Sequence, residues 1–259
     1  MSFTYHPAAR RLLPWLIPAA LIVAWQIAVT VGVVSTRVAP APSEVILAAW
    51  ALITSGEIFV HLWASFQRAA LGFLIGGGIG LALGLLSGGL RIFELLFDTT
   101  VQMIRNVPHL ALIPLVILWF GIDEAGKLFL VALGVLFPIY LNTLHGIRSV
   151  DAGLVEMGRS YGLGRFDLFR HVLLPGALPS ILVGIRYALG FMWLTLIVSE
   201  TIAATNGIGY MAMNAREFFQ TDVVVLAILL YALLGKAADV AARALERRLL
   251  TWNPAYLAV

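Results

Sequence analysis

EMGRSYGLGRFDLFRHVLLP, residues Glu156 to Pro175, is the long polar interruption in the second half of a very apolar chain. Glu156, Arg159, Arg165, Asp167, Arg170 and His171 fall within 16 residues of one another. Gly162 and Gly164 divide the stretch into two short helical pieces. Each has a mixed face: Leu154, Val155 and Tyr161 before the break, Phe166, Phe169 and Val172 after it. A charged, broken hairpin between apolar runs cannot sit in hydrocarbon, where its polar groups would have no water to bond. It must lie outside the bilayer and offer one face to something else. Gly162 can adopt a left-handed backbone at low cost, which a sharp turn between helices requires. Pro175 suits the first turn of a helix restarting into the next span. Plain connections rarely exceed about 12–15 residues without a functional reason.

Working outward, composition sets the class. The chain has 259 residues, of which 61% are hydrophobic and 12% charged, against about 25% charged in soluble domains. Several stretches reach the roughly 20 apolar residues that a helix needs to cross the hydrocarbon core. An all-α membrane protein with about six transmembrane helices is expected. There is no cysteine, hence no disulfide or thiol chemistry. The net charge of +3 comes from scattered basic residues, which points to membrane topology rather than nucleic acid.

Arg10 and Arg11 precede a first span, Leu12 to Val34, too long for the core of a cleaved secretory signal. Pro40 and Pro42 forbid a continuous helix beyond it. Ser43 as cap, with Glu44 in the first turn, opens a short interfacial helix over Val45–Ile53 that Gly56 ends. The second span is Ala69–Leu86. Its Gly72, Gly76, Gly80 and Gly84 form a stripe that predicts close internal helix packing. The third is Thr99–Gly121, kinked or broken by Pro108 and Pro114. The fourth is Leu128–Leu144, the fifth Ala177–Val198 and the sixth Val223–Val240. Between the last two, Asn206-Gly207 signals a turn. Ile208, Met211, Ala212, Ala215 and Phe219 then share one face of a short outer helix.

With the N-terminus inside, twelve basic residues fall on the inner side: Arg10, Arg11, Arg91, Arg105, Arg148, Arg159, Arg165, Arg170, Lys236, Arg243, Arg247 and Arg248. Four fall outside: Arg37, Arg68, Lys127 and Arg216. The excess of inner Lys and Arg makes the hairpin cytoplasmic.

Counting from Glu156, Gly162 stands at +6, Val172 at +16, Leu174 at +18 and Pro175 at +19. This resembles the E-A-A-x3-G-x9-I-x-L-P loop of ABC-importer permeases. Met157 and Gly158 replace its two alanines, and Val172 replaces its isoleucine. RNVPHLALIPLVILWFGIDE (Arg105 to Glu124), LPGALPS (Leu174 to Ser180) and NAREFFQTDVVV (Asn214 to Val225) resemble the aliphatic-sulfonate branch of that family. Permeases for taurine, nitrate and related organic anions are near relatives of that branch. The resemblance implies a type I importer permease fold in a bacterial cytoplasmic membrane. It also implies a homodimer, cytoplasmic ATPase subunits that use ATP and Mg, and a periplasmic or lipid-anchored substrate-binding protein. It makes Glu156, Gly162, Val172, Leu174 and Pro175 the residues coupled to the ATPase. The corresponding domain plan is a first span and outer interfacial helix in residues 1–60, and the transmembrane domain in 61–245. That domain carries the hairpin 151–175, and residues 246–259 form a cytoplasmic tail.

Arg186 interrupts the fifth span. A charge at a helix centre costs about 2.5–3.5 kcal/mol by insertion measurements, so it must face the bundle or an aqueous path. It either attracts a sulfonate in the translocation pathway or forms a structural pair. Arg105 and His109 invite the same pathway role, whereas Asn142, His145 and Glu200 suit structural hydrogen bonds. No catalytic, metal or cofactor site is expected in this chain. Residues Gly121–Lys127 match G-x4-G-K, but Leu128 supplies no hydroxyl for Mg and the loop follows a membrane span rather than a strand. An intramembrane enzyme is the distant alternative. No histidine precedes Glu as H-E-x-x-H requires, and Ser87 lacks the G-x-S-G spacing of a rhomboid-type protease.

Overall fold

The glycine stripe seats one long helix directly on another. In the computed structural model, which describes residues 7–36 and 38–253, α3 (Glu57–Gly89) packs along α6 (Glu124–Arg148). A Cβ on Gly80 would stand 2.5 Å from the carbonyl oxygen of Leu136, and one on Gly84 2.6 Å from Thr143 Cβ. A Cβ on Gly76 would overlap the Ala132 carbonyl outright. The stripe is therefore internal packing. The other side of α6 meets α9 (Leu174–Ala203) in the same manner: Gly134 lies under Thr195, Gly146 under Ser180, and Gly184 under Asn142. Backbones that approach this closely gain dispersion contacts that lipid cannot offer in their place. Val131, Val135, Ile139, Ala188, Met192 and Leu196 fill the resulting three-helix core.

Around this core, α1 (Pro7–Thr30) touches mainly α2 (Pro42–Ser55), and α11 (Thr221–Leu249) packs on α9 and α2. Outward-facing apolar side chains are abundant, Leu21, Leu74, Leu118, Leu194 and Leu233 among them. A water-soluble fold would bury such residues, whereas lipid accepts them. Four helices are long and apolar enough to cross a membrane among the described residues: Glu57–Gly89, Glu124–Arg148, Arg165–Ile202 and Thr221–Leu249. No strand occurs among these residues.

The third span is broken at its prolines, as expected: α4 (Arg91–Arg105) ends at Asn106, a 3-10 turn covers His109–Leu112, and α5 (Ile113–Phe120) is short. Pro108 removes a donor and Pro114 opens the next helix, so the ladder stops between them. Several other sequence expectations are corrected by the structure. The first helix ends at Thr30 rather than Val34. Ser43 does not cap α2. Ala41 holds the cap position and donates its N–H to Glu44 Oε2 at 2.8 Å, while Ser43 is tied to Gln26 of α1. The helix α3 begins twelve residues before the expected span, because His61, Ser65 and Arg68 extend its buried stripe. Phe219 does not share the buried face of α10 (Ile208–Glu217). It sits just past the helix end with φ 58° and is 89% exposed, while Ile208, Met211 and Ala215 are buried as expected. Of the basic residues counted for topology, Arg37 and the side chains of Arg10 and Arg11 lie outside the described residues.

Candidate functional site

The hairpin begins with α7 (Ala152–Ser160), whose N-cap Asp151 accepts the Gly153 N–H at 2.7 Å. The helix ends in two crossed hydrogen bonds: Gly162 N–H to Arg159 O at 2.9 Å and Leu163 N–H to Gly158 O at 3.1 Å. This closing pair requires a left-handed residue, and Gly162 supplies it with φ 82°. Gly164 plays a different part. It is the N-cap of α8 (Arg165–Leu168) in ordinary extended backbone, φ −65°, ψ 167°.

Beyond α8 the chain does not break before the membrane. A π-helical turn, Phe169–Leu173, joins α8 to α9, so residues Arg165–Ile202 form one 38-residue helical run. The expectation that Pro175 restarts a helix is thus corrected. Pro175 has no N–H to give to the carbonyl four residues back. The wider π turn immediately before it re-spaces the ladder, and His171 Nδ1 stands 3.0 Å from the Asp167 carbonyl oxygen. Leu174 packs into the cluster of Ile147, Ala177 and Ile181, which roots the hairpin in the α3–α6–α9 core. Val172 and Pro175 are half-buried, while Glu156 is exposed on α7. Gly158 is buried, and a Cβ there would stand 2.7 Å from Leu168 Cδ1, so α7 lies hard against the second arm. The two arms enclose an apolar groove that also takes in Trp252 from the chain's C-terminal turn.

Arg186 lies on α9 facing α11. Its guanidinium is 3.5 Å from Asp239 Oδ1 and 3.6 Å from Glu246 Oε2, and its side chain is 47% exposed. The contacts are loose for charge-assisted hydrogen bonds, which close to about 2.7–2.9 Å. Arg105 ends α4 and is exposed. His109 opens the 3-10 turn, and its side chain lies outside the described residues. No hydrogen bond or ion pair among the described residues joins Arg186 or Arg105 to Glu156, Gly162, Val172, Leu174 or Pro175.

Residues 76–251 match the family described as binding-protein-dependent transport system inner membrane component. The chain belongs to this permease family. It is 66% identical, over 95% of its length and 94% of the relative's, to the putative aliphatic sulfonates transport permease protein SsuC of Escherichia coli (strain K12). It is 49% identical to the protein of the same name from Bacillus subtilis (strain 168), covering 93% of this chain and 87% of that one. It is 34% identical to the taurine transport system permease protein TauC of E. coli, covering 91% and 87% respectively. Its fold is similar to a solved amino acid ABC transporter with histidines, with a TM-score of 0.64 at 18% identity over 77% of this chain and 97% of the other. The MetNI methionine ABC transporter in inward-facing form gives 0.52 at 22% identity, covering 76% and 97%.

The permease carries one buried polar cluster that the sequence alone did not reveal. Arg68, counted above on the outer side, is a buried residue of α3. It donates to both carboxylate oxygens of Glu124 at 2.6 and 2.7 Å, to Glu200 Oε1 at 2.8 Å and to the Asn206 carbonyl at 2.7 Å. Glu200, fully buried, also accepts from Ser65 Oγ, Tyr231 Oη and the backbone N–H of Gly209. Ser65 Oγ in turn accepts the Ile208 N–H at 2.8 Å. Side chains from α3 and α9 therefore satisfy the first N–H groups of α10, groups no bond within that helix can satisfy. Gly207 is required at this corner, because its φ is 116° and a Cβ would stand 2.5 Å from the Glu200 carboxyl. Spacing gave a clue: His61, Ser65 and Arg68 recur at helical period. An arginine ahead of an apolar run nevertheless looks the same as an interfacial flank.

Asn142 does make structural bonds: its side-chain amide donates to Pro138 O and its backbone carbonyl accepts from Ser180 Oγ, each at 2.8 Å. His145 does not: it faces outward and its ring makes no hydrogen bond among the described residues. In the G-x4-G-K segment, Lys127 is buried in the first turn of α6 and bonds Glu124 at 3.0 Å, so it serves the polar cluster.

Proposed function

We propose that this permease forms the membrane pathway of an ATP-driven importer of aliphatic sulfonates. The supporting observation is 66% identity over 95% of the chain to a protein named for aliphatic sulfonates transport, against 34% to one named for taurine. Two copies surround the pathway, a cytoplasmic ATPase binds the hairpins, and a binding protein delivers the anion on the outer side. ATP binding closes the ATPase dimer and draws the two hairpins together. The hairpin transmits this movement because its second arm is continuous with α9 through the π turn. Leu174 also fixes it to the core. Glu156, Gly162, Val172, Leu174 and Pro175 are the coupling residues in this scheme.

Arg186 is the pathway residue favoured by its geometry. It is half-exposed and loosely paired, so an arriving sulfonate can compete with Asp239 and Glu246 for it. Arg105, exposed at the end of α4, and His109 are secondary candidates.

The test is ATP-dependent uptake into vesicles holding the permease, its ATPase and its binding protein. Alkanesulfonates are expected to accumulate in preference to taurine and nitrate. Uptake of taurine or nitrate without alkanesulfonates assigns the chain to a sibling importer.

A further inference from the structure

The turn after α11 lines the hairpin's groove. The helix α11 runs to Leu249, Leu250 is fully buried, and the Asn253 N–H bonds back to Leu250 O at 3.0 Å. This turn presents Trp252 as one wall of the groove whose other walls are Leu154, Met157, Tyr161, His171 and Val172. Trp252 is 54% exposed and Tyr161 81%, so two large aromatics flank an open apolar floor.

The helical run that carries the second arm is longer than the membrane requires. The 38-residue run from Arg165 exceeds the roughly 20 residues that cross hydrocarbon by about 18, or about 27 Å at 1.5 Å per residue. Its far end is held at Glu200 against α10, so the excess projects on the hairpin side. Headgroup layers occupy only about 5–8 Å on each side. Twenty residues counted back from Glu200 reach Ile181, so the groove residues His171 to Gly176 stand about 8–15 Å beyond the hydrocarbon, and the groove opens from the edge of the headgroup layer toward water.

We infer that the surface gripped by the ATPase has two parts, the hairpin and the C-terminal turn, and that Trp252 is a principal contact residue for the ATPase subunit. The inference rests on the ATPase-coupling role proposed for the hairpin and extends it to a segment some eighty residues later in the chain. The ATPase is the occupant because the groove is continuous with the hairpin's exposed face. Two large aromatics in a partly enclosed apolar groove also have the composition that dominates protein–protein binding. Because the turn directly after α11 carries Trp252 and α9 carries the hairpin, a motor gripping both parts moves two membrane helices together.

The chain has no cysteine, so single-cysteine variants can carry a photoactivatable benzophenone without a background. Tyr161→Cys, Trp252→Cys and an outer-side control, Phe219→Cys, are to be irradiated in the assembled importer. Adducts with the ATPase are expected from positions 161 and 252 and not from 219. An adduct from 161 alone overturns the two-part surface and leaves the hairpin role standing. Adducts with lipid alone from 252 make Trp252 a membrane anchor and overturn the inference. Absence of ATPase adducts from both overturns the inference and the coupling role together. In a separate measurement, Trp252→Ala is expected to weaken ATPase binding to the permease by about tenfold or more, and Trp252→Phe by much less. Unchanged binding of Trp252→Ala refutes the contact.

Discussion

Replacing Gly162 with valine tests the bend at the heart of the hairpin. Gly162 has φ 82°, and a Cβ there would meet nothing within 4 Å, so any penalty comes from the backbone alone. The left-handed region costs a residue with a Cβ about 1–2 kcal/mol, and β-branching at Cβ places valine at the upper end. A penalty of about 2 kcal/mol makes the native turn roughly 30-fold less favoured relative to opened forms. Opening it also releases the paired bonds Gly162–Arg159 and Leu163–Gly158. Membrane insertion stays intact, because the change lies outside the spans and creates no clash. In vesicles containing the complete importer, with ATP hydrolysis and sulfonate uptake measured together, Gly162→Val is expected to lower uptake per ATP about tenfold or more. Gly162→Asn should retain most coupling, since Asn tolerates the left-handed region. Gly164→Val is the matched control, because Gly164 already has the extended backbone that any residue adopts. Equal coupling in Gly162→Val and the unsubstituted permease would refute the role of this turn.

Four further outcomes follow from the geometry. Gly76→Ala places a methyl on the Ala132 carbonyl and should sharply lower the yield of folded permease, whereas Gly78→Ala, which meets nothing within 4 Å, should leave yield and thermal stability unchanged. Arg68→Ala leaves the buried Glu200 carboxylate without its cation and should destabilise the fold by about 3–5 kcal/mol, read as a large drop in thermal midpoint in detergent. Arg186→Ala removes a partly exposed pair with Asp239 and leaves the buried Glu246 carboxylate without its cation, so thermal stability should fall by about 1–3 kcal/mol while sulfonate uptake falls further than an equally destabilised variant's; unchanged transport of every anion removes Arg186 from the pathway. Phe219→Gly relieves a left-handed phenylalanine and should raise stability by about 1 kcal/mol in the same melting assay.

Apolar run length made the membrane class and the spans after the hairpin legible, because lipid imposes that length directly. The glycine stripe was legible for a similar reason: only close backbone contact repays a residue without a side chain at every fourth position. The left-handed turn at Gly162 followed from local chemistry, and the structure shows it. What escaped the sequence was decided by tertiary partners. Arg68 resembles a flank until Glu124, Glu200 and Asn206 converge on it from three other segments. Phe219 continues the helical period of α10, yet the helix closes at Glu217 and turns it outward. Pro175 suits a helix start equally well with or without a π turn before it. Trp252 has no local signal, since its neighbours in the groove, Leu154 to Gly176, lie about 75–100 residues earlier.

Movement of the hairpin by ATP is the most direct test of coupling. Ser160 is exposed on α7, and Ser160→Cys in this cysteine-free chain can carry a spin label at one defined point per copy. The distance between the labels of the two copies, measured by pulsed electron resonance in the reconstituted importer, is predicted to shorten when ATP binds and to lengthen after hydrolysis. A distance that is the same with and without nucleotide, in vesicles shown to import sulfonate, would contradict coupling through this hairpin.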